Sequence, residues 1–161
     1  TPLYSSAASD VYKRQAKKWR KINCEKISGV IAGSFDVLHP GYIRMFKDAK
    51  NHCNHLTIAL HGDPSLYNNK KIPPVLSPEE REDILLSIKY IDNVVHYSTE
   101  KELENLLKED HYNVRIIGTD YSDKKITGRK CTDRIIFHKR DHEWSTTKYK
   151  KMIFENYERA K

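Results

Sequence analysis

From residue 27 onward, short apolar runs alternate with amphipathic segments, and this alternation limits the fold more than any other feature. Ile27 to Gly33, Leu56 to His61, Val94 to Tyr97, Val114 to Gly118 and Arg134 to His138 read as strands. Gly41 to Cys53 carries Ile43, Phe46, Ala49 and Lys50 at helical spacing, and Glu100 to Asp110 places Leu103, Leu106 and Leu107 on one face. Ser77-Pro78-Glu79-Glu80 is a helix start, with Ser at the cap, Pro at the first turn and Glu three places on. That helix is expected to run through Ile84, Leu85, Ile88 and Tyr90, and a last one from near Ser145 to about Arg159. Strands separated by helices imply βαβ units and a parallel sheet. Right-handed crossovers then put helices on both faces. The expectation is an α/β chain: a single-domain parallel sheet of about five strands.

Ligands of such sheets bind beyond the carboxyl ends of the strands, at the point where the strand order reverses. The polar residues that stand just after strands are Asp36 and His39, Asp63, Asp120 and Arg140. One stretch concentrates the pattern. Val30 to Gly33 is apolar, a short loop carries Asp36 and His39, and Gly41 opens a helix. Backbone N–H groups at a helix start form an anion site, and a residue without a side chain admits close approach of a phosphate. A second stretch, Trp144-Ser145-Thr146-Thr147-Lys148, puts three hydroxyls at a helix start after the basic pair Lys139-Arg140. Hydroxyls, free N–H groups and the helix dipole all favour a phosphate there.

Composition narrows the class. A chain of 161 residues, 38% hydrophobic and 32% charged, suits one polar globular domain. No apolar run approaches the roughly 20 residues of a membrane span, and no signal-peptide pattern opens the chain. Cys24, Cys53 and Cys131 are an odd number without metal-type spacing. They read as free thiols in a reducing compartment, which implies a cytoplasmic location. The net charge of +7 is spread along the chain without a nucleic-acid motif. It reads as a solvated lysine-rich surface around a local phosphate site, with no nucleic acid and no membrane as partner. Residues 1–15 lack any period, and Ser5 to Gln15 resembles a translated sequencing adapter. They are set apart as a non-native or disordered tail, 16–26 as a basic leader, and 27–161 as the domain.

The motif residues resemble a known family. Gly33-Ser34-Phe35-Asp36 followed by His39-Pro40-Gly41-Tyr42 is similar to the G-[ST]-F-D-x-x-H-x-G-H signature of the cytidylyltransferase-like nucleotidyltransferases. Tyr42 stands where that signature has a second histidine. Arg140 followed by Ser145-Thr146-Thr147 resembles the family's R-x-x-x-I-S-T-T segment, and Gly118-Thr119-Asp120-Tyr121 its G-x-D segment. The resemblance covers about residues 27–153 and is closest to the glycerol-3-phosphate cytidylyltransferases. It implies a Rossmann-like domain that transfers CMP from CTP to a small phosphorylated alcohol, with Mg2+ bridging the phosphates and a homodimer as the assembly.

The same resemblance implies roles. His39, Lys70 (with Lys71 as runner-up), Arg81 and Arg140 would serve the reacting phosphates. Gly33, Ser34, Phe35, Gly41, Tyr42, Gly118, Asp120, Ser145, Thr146 and Thr147 would bind the nucleotide. Asp36 and Asp63 would meet the acceptor, and no residue set suggests a protein-held zinc. Two further readings stand beside this one. One is an adenylyltransferase of the same superfamily, because phosphate motifs do not read the base. The other is a nucleotide-binding protein weakened in catalysis by Tyr42, since a phenol is neutral at pH 7 where a histidine can be cationic.

Overall fold

A computed structural model describes residues 25–161, so the expected tail and most of the basic leader lie outside the described residues. Five strands, β1 (Ser28–Gly33), β2 (His55–His61), β3 (Asn93–Tyr97), β4 (Val114–Gly118) and β5 (Arg134–His138), form one sheet in the order β3-β2-β1-β4-β5. Every pairing is parallel. Helices α1 (Pro40–Ala49), α2 (Pro78–Leu86), α3 (Glu100–Glu109) and α4 (Thr146–Arg159) connect or follow them. The expected α/β architecture is what the chain adopts.

The strand centres are mostly apolar because both faces of the sheet are covered. Side chains alternate across a strand, and the two cores divide accordingly. Ile31, Leu56, Ile58 and Leu60 pack with Phe46 and Ala49 of α1 and Leu85 of α2. Val30 and Ala59 pack on the opposite face with Leu103 and Leu107 of α3. The chain winds outward from β1 to β3, then returns to the other side of β1 for β4 and β5. The reversal falls between β1 and β4, and the loops beyond these two strands flank a natural crevice.

Two helix starts form as their residues dictate. Ser77 caps α2 by accepting from the Glu80 N–H, and the Glu80 carboxylate accepts from the Ser77 N–H at 2.8 Å, a reciprocal capping box. Ser145 caps α4 by accepting from the Lys148 N–H. Two helices are shorter than their apolar period predicts. α1 stops at Ala49 and α2 at Leu86, whereas Cys53 and Tyr90 were the expected ends. Ile88 and Ile91 continue the apolar pattern as turn residues packed on the core.

Candidate functional site

The loop after β1 is tightly built. Phe35 and Val37 both adopt left-handed backbone, with φ of 45° and 41°, which costs an L-residue roughly 1–2 kcal/mol each. Burial of the Phe35 ring offsets part of this. The ring folds back over Gly33, where a Cβ would lie 3.1 Å from its Cζ. The Phe35 ring therefore belongs to the core beside Phe46.

His39 is the N-cap residue of α1, in extended backbone and without a side-chain cap bond. Its ring is 5% exposed and stacks on Tyr42 at 4.2 Å and on Trp144 at 6.0 Å, with Tyr149 edge-on. Its Nδ1 has no partner among the described residues. Burial, then the nearby His142 and Arg140, lower its pKa to about 4, so the imidazole is neutral at pH 7. Tyr42 donates or accepts a 2.9 Å bond with Thr146 Oγ1, which joins the start of α1 to the start of α4. Burial raises the Tyr42 pKa, and the phenol stays protonated.

Arg140, after β5, pairs with Asp120 at 3.0 Å, and its Nη2 donates to the Trp144 carbonyl at 2.8 Å. Its own N–H donates to Thr119 Oγ1. Gly118, Asp120 and Arg140 thus come together at the ends of β4 and β5. His142, two residues further, lays its ring against Gly41. A Cβ there would meet His142 Cε1 at 2.5 Å and His39 Cε1 at 3.1 Å. The absence of a side chain at 41 is what lets both imidazoles reach the α1 N-terminus.

Several other expected site residues turn out to hold the protein together. Arg81 is buried, and its guanidinium donates to the carbonyls of Ser34 (2.6 Å), His61 (2.8 Å), Gly62 (2.5 Å), Leu76 and Ser77. It clamps the β1 loop, the end of β2 and the start of α2. Asp36 is also buried. It accepts from the Val75 and Leu76 N–H groups and pairs with Lys150 of α4 at 2.5 Å. Burial pushes its pKa up, but Lys150 and those N–H groups outweigh it and hold the carboxyl below its usual range. Asp63 caps the short turn Pro64–Leu66, accepting from the Ser65 N–H and hydroxyl. That is turn chemistry.

The three hydroxyls of α4 divide. Ser145 caps its own helix, Thr146 meets Tyr42, and Thr147 is exposed. Lys70 and Lys71 are exposed on the loop before α2, and nothing among the described residues ties their ammonium groups to the His39 cluster. Both oxygens of Asp36 and the facing oxygens of Asp63 and Asp120 are engaged by protein groups, and no cluster of three ligating side chains exists among the described residues. The residues present do not fit a protein-held Mg2+.

Four residues that the sequence reading did not assign to the site complete it. Trp144 and Tyr149 wall in His39, Lys150 holds Asp36, and His142 covers Gly41. Lys150 lies four residues after Thr146, on the same face of α4, and that spacing is the signal that marks it.

A family model described as cytidylyltransferase-like matches residues 30–152. The chain is 32% identical over 117 residues to the bifunctional protein HldE of Hyphomonas neptunium, a match covering 71% of this chain and 23% of that protein. It is 33% identical over 126 residues to the bifunctional protein HldE of Paramagnetospirillum magneticum, covering 76% and 24%. The chain thus spans about a quarter of the length of these curated relatives. A lipopolysaccharide core biosynthesis protein from Thermoplasma volcanium shares the fold, with a TM-score of 0.57 at 21% identity over 74% of this chain and 99% of that one.

Proposed function

The chain belongs to the cytidylyltransferase-like family, and we propose that its nucleotidyltransferase-like domain moves a nucleotidyl group from a nucleoside triphosphate to the phosphate of a small acceptor. An acceptor phosphate oxygen attacks the α-phosphorus, the bond to the β-phosphate oxygen breaks, and pyrophosphate leaves. The acceptor is already an anion, so positioning and charge stabilisation are the protein's task. The observation that carries this reading is the convergence of His39, the α1 N-terminus without a side-chain cap and Arg140 beyond the carboxyl ends of β1, β4 and β5. A neutral His39 offers a hydrogen bond to a phosphate oxygen, and Arg140 supplies fixed charge near Asp120, on the nucleoside side. Lys70, or Lys71 in its place, joins the phosphates from the exposed loop before α2. Mg2+ enters with the nucleotide, held by substrate oxygens rather than by this chain.

The likeness to the HldE proteins favours an adenylyl donor and a sugar-phosphate acceptor. CTP with glycerol-3-phosphate is the reading favoured by the Arg140-to-Thr147 segment. No helix among the described residues is long and apolar enough to cross a membrane. A cytoplasmic homodimer is part of the same proposal, supported by α4, which buries no residue and exposes Ile153, Phe154 and Tyr157. The test is pyrophosphate release, crossing ATP and CTP against sugar phosphates and glycerol-3-phosphate. Release that requires ATP and a sugar phosphate supports the adenylyl reading. A requirement for CTP and glycerol-3-phosphate reverses it. No release from any pair overturns the transferase.

A further inference from the structure

We propose that His142, carried by the loop between β5 and α4, is a phosphate-binding residue and forms with His39 a pair of imidazole donors at the N-terminus of α1. The inference rests on the nucleotidyl-transfer reading and adds a residue to its site.

Three observations carry it. The His142 ring lies on the bare face of Gly41, its Nε2 at 3.0 Å from where a Cβ would stand, with His39 Cε1 at 3.1 Å from the same point. The ring is also oriented: the Trp144 N–H donates to His142 Nδ1 at 3.2 Å. An imidazole that accepts at Nδ1 carries its proton on Nε2 when neutral. The nitrogen nearest the helix start is therefore the donor. Finally, Nε2 of His142 and Nδ1 of His39 are both shielded from water, and neither has a partner among the described residues. Shielded polar atoms without partners are costly, and two of them beside one helix start share a need that a single anion meets. The helix end suits that anion: α1 has no acid in its first turn, no side-chain cap, and a dipole that favours negative charge.

Tyr42 explains why a second imidazole has to come from elsewhere. The hydroxyl of Tyr42 is engaged by Thr146, and its ring is stacked between His39 and Phe46. It faces the packing rather than the helix start. Burial, and the charges of Arg140 and Arg44, lower the His142 pKa, so His142 meets the anion as a neutral hydrogen-bond donor. Trp144 fixes both members: its backbone holds His142 and its ring stacks on His39.

Two substitutions test this. His142→Phe keeps a ring on Gly41 and removes the donor; His142→Gln keeps a donor. Binding of inorganic pyrophosphate and of ATP with Mg2+ is measured by calorimetry, and folding by thermal melting. Loss of one hydrogen bond to a charged group predicts about tenfold weaker binding for His142→Phe, with His142→Gln within about threefold of the parent at equal melting temperature. A ring-nitrogen NMR titration of the unmodified chain gives an independent readout: the His142 Nε2 resonance shifts on adding pyrophosphate. Unchanged or tighter binding by His142→Phe, or a His142 ring signal that does not move, overturns the inference while the parent still binds. Failure of the parent to bind either ligand overturns the nucleotidyl-transfer reading and this inference together.

Discussion

Replacing Arg81 by lysine separates a buried clamp from a ligand contact, because charge survives the exchange and the fork does not. The guanidinium reaches five carbonyls on three segments: Ser34 after β1, His61 and Gly62 at the end of β2, and Leu76 and Ser77 at the start of α2. An ammonium has three donors radiating from one atom and satisfies at most three of them. At least two buried carbonyls then lose a charged donor. At about 1.5 kcal/mol each the cost is ~3 kcal/mol. For a domain of this size, roughly 3 °C per kcal/mol gives a melting temperature ~9 °C lower. Calorimetric melting and urea titration read the loss directly, and nucleotide binding is measured well below the transition. A clamp predicts a large drop in stability with near-parental affinity for the surviving folded protein. A melting temperature within about 2 °C of the parent, with binding lost, refutes the clamp and returns Arg81 to the ligand.

Three more outcomes follow from the same contacts. The Tyr42–Thr146 bond should show a coupling of about 1 kcal/mol in a double-mutant cycle of Tyr42→Phe and Thr146→Val, and zero coupling denies the link between α1 and α4. Lys150→Met leaves the buried Asp36 carboxylate without its cation and should cost about 3 kcal/mol at neutral pH. Because the Asp36 pKa is depressed, that stabilisation is present above about pH 4 and fades as the pH falls through the folded-state pKa, so parent and variant urea midpoints should converge in acid. His39 has the same sign for a different reason. Its pKa is about 4 when folded and 6.5 when free, so the unfolded chain takes up the proton first. Stability is full above pH 6.5 and falls by up to about 1.4 kcal/mol per pH unit down to pH 4. His39→Asn should flatten that part of the urea-midpoint profile, and a parallel profile for parent and variant excludes the buried neutral imidazole.

The frame of this protein was legible because its signals are local. β4 and β5 keep their expected bounds, since a run such as Val114 to Gly118 is apolar but for Arg115, and a short apolar run suits a parallel strand covered on both faces. The capping box of α2 is written in four consecutive residues. Helix ends were less legible. Ile88 and Ile91 continue the apolar period beyond α2, and periodicity does not tell a buried turn residue from a helical one. Within the site, the positions beyond the strand ends were visible, but the partners were not. Asp36 reads as an exposed loop acid until Lys150, far away in the chain, is seen to fill it. Nothing in the sequence around Arg81 shows that three segments converge to bury it. Both are decided by tertiary contacts that no local pattern encodes.

Tyr42 shows how one residue redistributes work within such a site. A second histidine at this place would have put two imidazoles on adjacent turns of the α1 start. Tyrosine instead fills the gap between His39 and Phe46 and ties Thr146, so the position becomes part of the wall that holds His39 in its orientation. The wall then continues through Trp144 and Tyr149 of the β5–α4 segment. The same segment delivers Arg140, His142 and Lys150. The site is consequently made from two ends of the chain locked face to face, β1 to α1 on one side and β5 to α4 on the other. A stacked, neutral His39 keeps that lock free of internal charge repulsion. On the nucleotidyl-transfer reading, a polyphosphate brings the negative charge that the helix start lacks and adds to the one Asp120 already gives Arg140, so ligand binding should tighten the same contact between α1 and α4 that Tyr42 and Thr146 already make.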